Sequence, residues 1–122
     1  IDPNLLTPEI IIDAKLDLDQ ISPKLFRIIK QFAPFGPGNM TPVFMAENLR
    51  DTGYAKGVGE ENKHLKLGVT QNGTGPVGAI GFNLGKKLSV VQNGNLFSAA
   101  FTLDENQWNG MVSLQLKVKD LR

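Results

Sequence analysis

Few residues in this chain could perform acid–base or nucleophilic chemistry. There is one histidine, His64, and no cysteine, which excludes disulfides, thiolate zinc sites and iron–sulfur clusters. The carboxylates that precede His64, Glu60 and Glu61, fall in a predicted loop, and no Gly-x-Ser-x-Gly motif is present. Because these residues supply neither a base with its nucleophile nor a full set of metal ligands, we expect no catalytic residue and no metal site in this chain.

Basic side chains on predicted strands indicate a different chemistry, the binding of an anionic polymer. His64 and Lys66 alternate with leucines in one strand, and Gln115, Lys117 and Lys119 alternate with apolar residues in another. Alternation of this kind turns these polar side chains away from the core. If the two strands are neighbours, they form one basic face, although the same lysines could simply be solvated.

Four further residues extend this candidate site. Lys56 and Lys63 lie in or beside the loop that precedes His64, and Phe82 and Trp108 lie near predicted strand ends. An aromatic ring that stacks on an unpaired base contributes about 1–3 kcal/mol, and a basic groove holds the phosphates without reading the sequence. Alternatively, Phe82 belongs to the hydrophobic core, and Trp108 is a turn residue that packs onto one end of a barrel formed by the strands.

Length, composition and charge limit the class of protein. The 122 residues suit one compact domain, and 41% hydrophobic with 20% charged residues is ordinary for a globular chain without a membrane span. Residues 1–61 carry 6 basic and 9 acidic side chains, whereas residues 62–122 carry 7 basic and 3 acidic. The basic second half favours an anionic partner.

One helix should precede the strands. Ser22 can cap a helix that begins at Pro23, and Leu25, Ile28, Ile29 and Phe32 recur with helical spacing. We therefore predict a helix over Pro23–Phe32 that buries this stripe. The Pro34–Asn39 segment, with two prolines and two glycines, ends it in a tight turn. Upstream, Ala14, Leu16 and Leu18 should share one face of a short strand or extended connector.

After the turn, the hydrophobic pattern changes to the period of two that is typical of strands. Residues 84–91 fit either a short helix or a loop, and residues 104–110, which include Trp108, fit a turn. The predicted strands are 43–49, 53–58, 64–71, 76–83, 96–103 and 112–119.

The pattern as a whole predicts a mainly β fold. It should be a small barrel or a sandwich of five to six antiparallel strands with one N-terminal helix, and a five-stranded barrel suits the length of residues 43–122. Residues 1–42 would form the leading segment, helix and turn, and residues 43–122 the barrel. Because residue 1 is isoleucine, we expect the chain to be part of a longer protein.

Four ordered segments resemble one known family, and together they span roughly residues 8–122. The segments are 25–44 with its Pro34-Phe35-Gly36-Pro37-Gly38-Asn39 turn, Lys63–Leu67, Ala79–Asn83, and Asn106–Gly110 running into Leu114–Arg122. They resemble the C-terminal oligonucleotide-binding (OB) barrel of the RecJ family of single-stranded-DNA-specific exonucleases, which implies a five- to six-stranded antiparallel OB-like barrel here. At Met40-Thr41 the chain departs from the family, which more often has proline and an acidic residue there.

The resemblance implies a parent enzyme that degrades single-stranded DNA from the 5′ end in repair and recombination. Its catalytic domains, N-terminal to this chain, would hold Mn²⁺ or Mg²⁺ through an Asp-His-His motif that is absent here, so the fragment itself would have no cofactor. Its partners would be single-stranded DNA and those catalytic domains, in the cytoplasm and away from membranes. The alternative is an interaction module that uses Phe35, Met40 and the helix stripe to contact the catalytic core or another protein.

Overall fold

The computed structural model describes residues 12–31 and 42–122, which form seven strands and two α-helices. The strands are β1 (Ala14–Lys15), β2 (Phe44–Asp51), β3 (Lys56–Val58), β4 (His64–Gln71), β5 (Thr74–Gly81), β6 (Phe97–Trp108) and β7 (Met111–Leu121). The helices are α1 (Pro23–Lys30) and the short α2 (Leu88–Val91). The predicted turn at Pro34–Asn39 lies outside the described residues.

The strands form one mainly antiparallel sheet in the order β1-β2-β6-β7-β5-β4-β3. The end of β2 also pairs with β4, Arg50 with Thr70 and Asp51 with Val69, so β2, β4, β5, β7 and β6 complete a circuit. Since only two residue pairs close it, the architecture is that of a partly open, OB-like barrel.

The prediction of five to six antiparallel strands is corrected in two respects. The sheet has seven strands, because the two-residue β1 adds to β2, and two of the pairings are parallel, β1 with β2 and β5 with β7. The second parallel pair arises because β6, which follows α2, pairs with β2, and the hairpin then returns β7 along β5. Residues 84–91, left open by the sequence, contain α2.

The alternation predicted for 64–71 is confirmed, because β4 spans these same residues with Leu65, Leu67 and Val69 buried. Phe101 of β6 is also fully buried and packs against Phe44 with 6.3 Å between the ring centroids. On β7, Leu116 and Val118 are buried, whereas Val112 is exposed. The core is therefore the interior of the circuit.

The helix α1 begins as predicted, since the Ser22 hydroxyl accepts a hydrogen bond from the Leu25 amide at 3.1 Å. It ends at Lys30, and Phe32 lies outside the described residues. Leu25, Phe26 and Ile29 pack against the core, but Ile28 is 43% exposed, so the predicted stripe is wrong at that position. The packed face runs through Phe26 instead, because residues at i, i+1 and i+4 also share one side of a helix.

A buried glutamine ties the segment before α1 to the barrel. Gln71 Oε1 accepts a hydrogen bond from the Leu18 amide at 2.8 Å, and its Nε2 donates to the Glu47 carbonyl at 2.7 Å. Leu16 and Leu18 are buried, but Ala14 is exposed, contrary to the shared face predicted for these three residues. Residues 16–18 therefore belong to the packing of the barrel itself.

The hairpin of β6 and β7 is longer than predicted. Residues 104–108 continue the strand instead of forming a turn, and pairing extends to Trp108 opposite Met111. The turn contracts to Asn109 and Gly110, both with positive φ, as a two-residue hairpin loop requires. The run Asp104-Glu105-Asn106-Gln107 has no apolar period to signal a strand, so cross-strand pairing determines its conformation.

Candidate nucleic-acid interface

Register aligns several predicted cations on the outer surface of the sheet. Lys56 lies opposite Lys66, Lys66 opposite Ile80, and Ile80 opposite Lys117, across β3, β4, β5 and β7. Directly opposed residues share one face of a sheet, so these four side chains form what we call the cation row. Because β5 separates β4 from β7 and neighbouring strands lie about 4.8 Å apart, the Cα atoms of Lys66 and Lys117 are about 10 Å apart.

The charges of the cation row are not neutralised within the described part of the chain. Across residues 12–31 and 42–122, no carboxylate forms an ion pair with Lys56, Lys66 or Lys117. Other lysines are paired, for example Lys87, whose ammonium group contacts the Asp120 carboxylate and the Leu121 carbonyl. Like charges directly opposite one another are destabilising, so this row favours an anionic ligand.

An aromatic ring lies at the edge of the cation row. Phe82, which directly follows β5, is 49% exposed and so does not belong to the core. Its ring packs edge-on against His64, with 5.3 Å between centroids, and the Lys117 ammonium nitrogen lies 5.8 Å from the Phe82 centroid. We call the three residues that meet here the Phe82 cluster: His64 of β4, Phe82 at the end of β5, and Lys117 of β7.

A backbone hydrogen bond orients the imidazole in this cluster. The Asn83 amide donates to His64 Nδ1 at 2.9 Å, and Asn83 has a φ of 62°. Because Nδ1 is the acceptor, the neutral ring carries its hydrogen on Nε2. The Asn83 amide thus bonds to a side chain and not to a neighbouring strand, and β5 ends at Gly81, two residues before the predicted end at residue 83.

The loop between β2 and β3 adds a residue that the sequence interpretation missed. The Asp51 carboxylate accepts hydrogen bonds from the amides of Gly53 (2.7 Å), Ala55 (2.9 Å) and Gly68 (3.2 Å), which holds this loop against β4. The loop presents Tyr54, 78% exposed, two residues before Lys56. In the sequence, Tyr54 could have been singled out because it is the one tyrosine, follows a glycine and lies two residues before Lys56.

The other predicted residues lie at varying distances from the cluster. Lys63 is exposed just before β4, and Lys119 is exposed where the register of β7 shifts. Gln115 lies opposite Gly78, two residues along β7 from Lys117. The Trp108 backbone lies opposite Met111, about 20 Å along β7 from Lys117 at 3.3 Å per residue. The structure thus brings Lys56, Lys66, Lys117, His64 and Phe82 together, but not Trp108.

We find neither a metal site nor a membrane-spanning helix among the described residues. Within these ranges, no three histidine, aspartate or glutamate side chains are grouped as metal ligands would be. No described helix has the length and apolar character needed to span a membrane. The arrangement can bind phosphates through ammonium groups and can contact a base through the Phe82 ring.

Comparisons with known proteins agree on one family. The sequence model of the RecJ OB domain matches residues 12–120. Two crystal structures of RecJ from Thermus thermophilus are similar to the chain at 25% sequence identity. The Mn²⁺ complex has a TM-score of 0.69 and the Mg²⁺ complex 0.62, each over 93% of this chain and 16% of that chain. A search of curated protein sequences finds no significant match.

Proposed function

Since the chain belongs to the RecJ OB domain family, we propose that it is the single-stranded-DNA-binding module of a RecJ-like 5′→3′ exonuclease. The observation that supports this function is the cation row, which no described carboxylate neutralises, beside the half-exposed Phe82 ring. The row crosses β4 and β5, which are the second and third strands of the barrel in chain order. OB folds bind oligonucleotides on the face of their second and third strands.

The geometry favours an unpaired strand as the ligand. Lysines are point charges that attract phosphates of any sequence, and an exposed ring can stack on a base only where that base is not paired. Tyr54, on the loop that Asp51 holds, offers a second ring near Lys56. Binding by this face is therefore sequence-tolerant and sensitive to salt.

We assign hydrolysis to the rest of the parent protein. The two RecJ structures are complexes with Mn²⁺ or Mg²⁺, whereas the described residues of this chain group no metal ligands and so do not fit a metal centre. The chain spans 16% of those structures. Its part would be to hold the substrate strand for catalytic domains that act in DNA repair and recombination.

The alternative, a contact module, has less support. Phe35 and Met40, like Phe32 of the helix stripe, lie outside the described residues. Leu25 and Ile29 of the stripe pack against the core, and Ile28 is its one exposed member among the described residues. The stripe therefore supplies little of the apolar surface that a docking partner would cover.

Direct titration tests the proposed function. We expect the 122-residue chain to bind fluorescently labelled oligothymidylate in an anisotropy assay, in a buffer that contains chelator to prevent degradation. With about three to five phosphates neutralised, the slope of log K against log salt concentration should be roughly −2 to −4. Absence of binding at low salt, or equal affinity for a duplex of the same length, would contradict the function.

The Phe82 ring should contribute a large share of this affinity. We expect Phe82→Ala to weaken binding of oligothymidylate about tenfold, because one stacked base is worth about 1–3 kcal/mol. Phe82→Tyr keeps a ring and should bind within about twofold of the wild type. Leu96→Ala removes another exposed apolar side chain and serves as the control. Equal affinity of the alanine and tyrosine variants would show that no base stacks here.

A further inference from the structure

A groove opens beyond the cation row, where the pairing of β5 with β7 ends at Gly78 and Gln115. It has a volume of about 430 Å³ and lies where Ile21 and Pro23 at the start of α1 approach β5 and the β6–β7 hairpin. Gly78 of β5 and Gln115 of β7, which lie opposite each other, line it. Such a volume is within the range of small-ligand pockets.

The groove is continuous with the cation row. Gly78 lies two residues before Ile80 on β5, and Gln115 lies two residues before Lys117 on β7. Ile80 and Lys117 both belong to the cation row. A step of two residues along a strand keeps the same face and covers about 7 Å. A polynucleotide whose phosphates contact Lys117 therefore reaches this groove with its next nucleotides.

The lining of the groove suits a nucleobase better than a phosphate. No charged side chain lines it, and its walls combine apolar residues with the side-chain amides of Asn106 and Gln115. Neither amide has a hydrogen-bond partner among the described residues. Each presents one acceptor and two donors, which match the edge of an unpaired base, while the apolar walls match its faces.

Gly78 keeps the floor of this groove open. A Cβ atom at Gly78 would have no neighbour within 4 Å, and its φ is not in the left-handed region. The glycine opposite, Gly68, differs, because its Cβ would lie 3.0 Å from Thr52 Oγ1. Neither packing nor backbone conformation requires glycine at position 78, although glycine weakens a strand.

We propose that the groove between the start of α1 and the Gly78–Gln115 pair is a nucleobase pocket for the strand bound on the cation row. This inference rests on the proposed function and adds a second base contact to the one at Phe82. Phe82 and Gly78 lie four residues apart, about 13 Å along the chain. No more than about four nucleotides separate the two contacts at 3.4 Å per phosphate. Between these two contacts, the bound strand crosses the cation row beside Ile80.

The test combines a blocked groove with a series of abasic oligonucleotides. We would titrate the chain with the shortest oligothymidylate that binds at full affinity, and with versions that carry one abasic nucleotide at each position in turn. For the wild type, abasic sites at two separated positions should each weaken binding about tenfold. Gly78→Leu should weaken binding of the intact oligonucleotide about tenfold and remove the effect of one of those two positions.

Controls separate folding from binding. Ser89→Leu adds the same side chain on α2, which does not line the groove, and should bind like the wild type. Far-UV circular dichroism checks the fold of each variant. If Gly78→Leu does not fold, Asn106→Ala combined with Gln115→Ala removes the amides without added bulk and should weaken binding about fivefold.

The outcomes distinguish the inference from the function on which it rests. If the wild type binds no oligonucleotide, the proposed function fails. If the wild type binds but the groove variants match Ser89→Leu, the groove inference is overturned and the function stands. The inference is supported only if a groove variant loses both affinity and the sensitivity to one abasic position.

Discussion

Joint replacement of Lys66 and Lys117 by glutamate is expected to weaken single-stranded-DNA binding at least about a hundredfold at low salt. The two ammonium groups flank Ile80 in the cation row, and no described carboxylate neutralises either of them. Losing two phosphate contacts should lower the magnitude of the log–log salt slope by about 1.4, since each contact on a single strand contributes about 0.7. Anisotropy titrations at several salt concentrations measure both quantities.

The matched control for this double variant reverses two cations elsewhere. Lys15→Glu with Arg27→Glu changes the net charge by the same amount on β1 and α1, away from the row. Lys15 forms only an exposed ion pair with Glu47, so little stability is lost. Equal weakening by both double variants would mean that overall charge, not the cation row, attracts the DNA.

Replacement of Gln71 by methionine should lower the free energy of unfolding by about 2–6 kcal/mol. Gln71 is 7% exposed, and its side chain satisfies the Leu18 amide and the Glu47 carbonyl. Methionine has a similar length but leaves both backbone groups without a partner, at a cost of about 1–3 kcal/mol each. Urea denaturation followed by circular dichroism measures the change.

Gln92→Met is the appropriate comparison for that substitution. Gln92 is exposed, and its side chain has no hydrogen-bond partner in the part of the chain that is described, so its replacement should change stability by less than about 0.5 kcal/mol. A Gln71→Met variant as stable as Gln92→Met would show that the segment before α1 is not held by this glutamine.

Much of the sheet could be predicted from sequence because its patterns are local. The strand at 64–71 was correct at both ends, since leucine and valine alternate with polar residues up to the Asn72-Gly73 turn. The start of α1 was also correct, because a serine followed by proline specifies a helix start through its own hydrogen bonding.

What the sequence could not supply depends on partners distant in the chain. The polar stretch Asp104–Gln107 is a strand only because β7 pairs with it, and the parallel pairing of β5 with β7 leaves no local signal. The candidate site shows the same limit. The alternation of apolar and polar residues along each strand predicts that Lys66 and Lys117 lie on outer faces. Only the register of β4, β5 and β7 shows that the two lysines lie in one row.

The parallel junction of β5 and β7 also bears on how the chain acquires its binding surface. No short turn can join parallel strands, so this junction is a non-local contact that spans the chain containing α2 and β6. Of the three lysines of the cation row, the β4–β5 hairpin carries only Lys66, and Lys117 joins it through β7. An oligonucleotide bound as we propose would bridge this junction and so stabilise the completed topology.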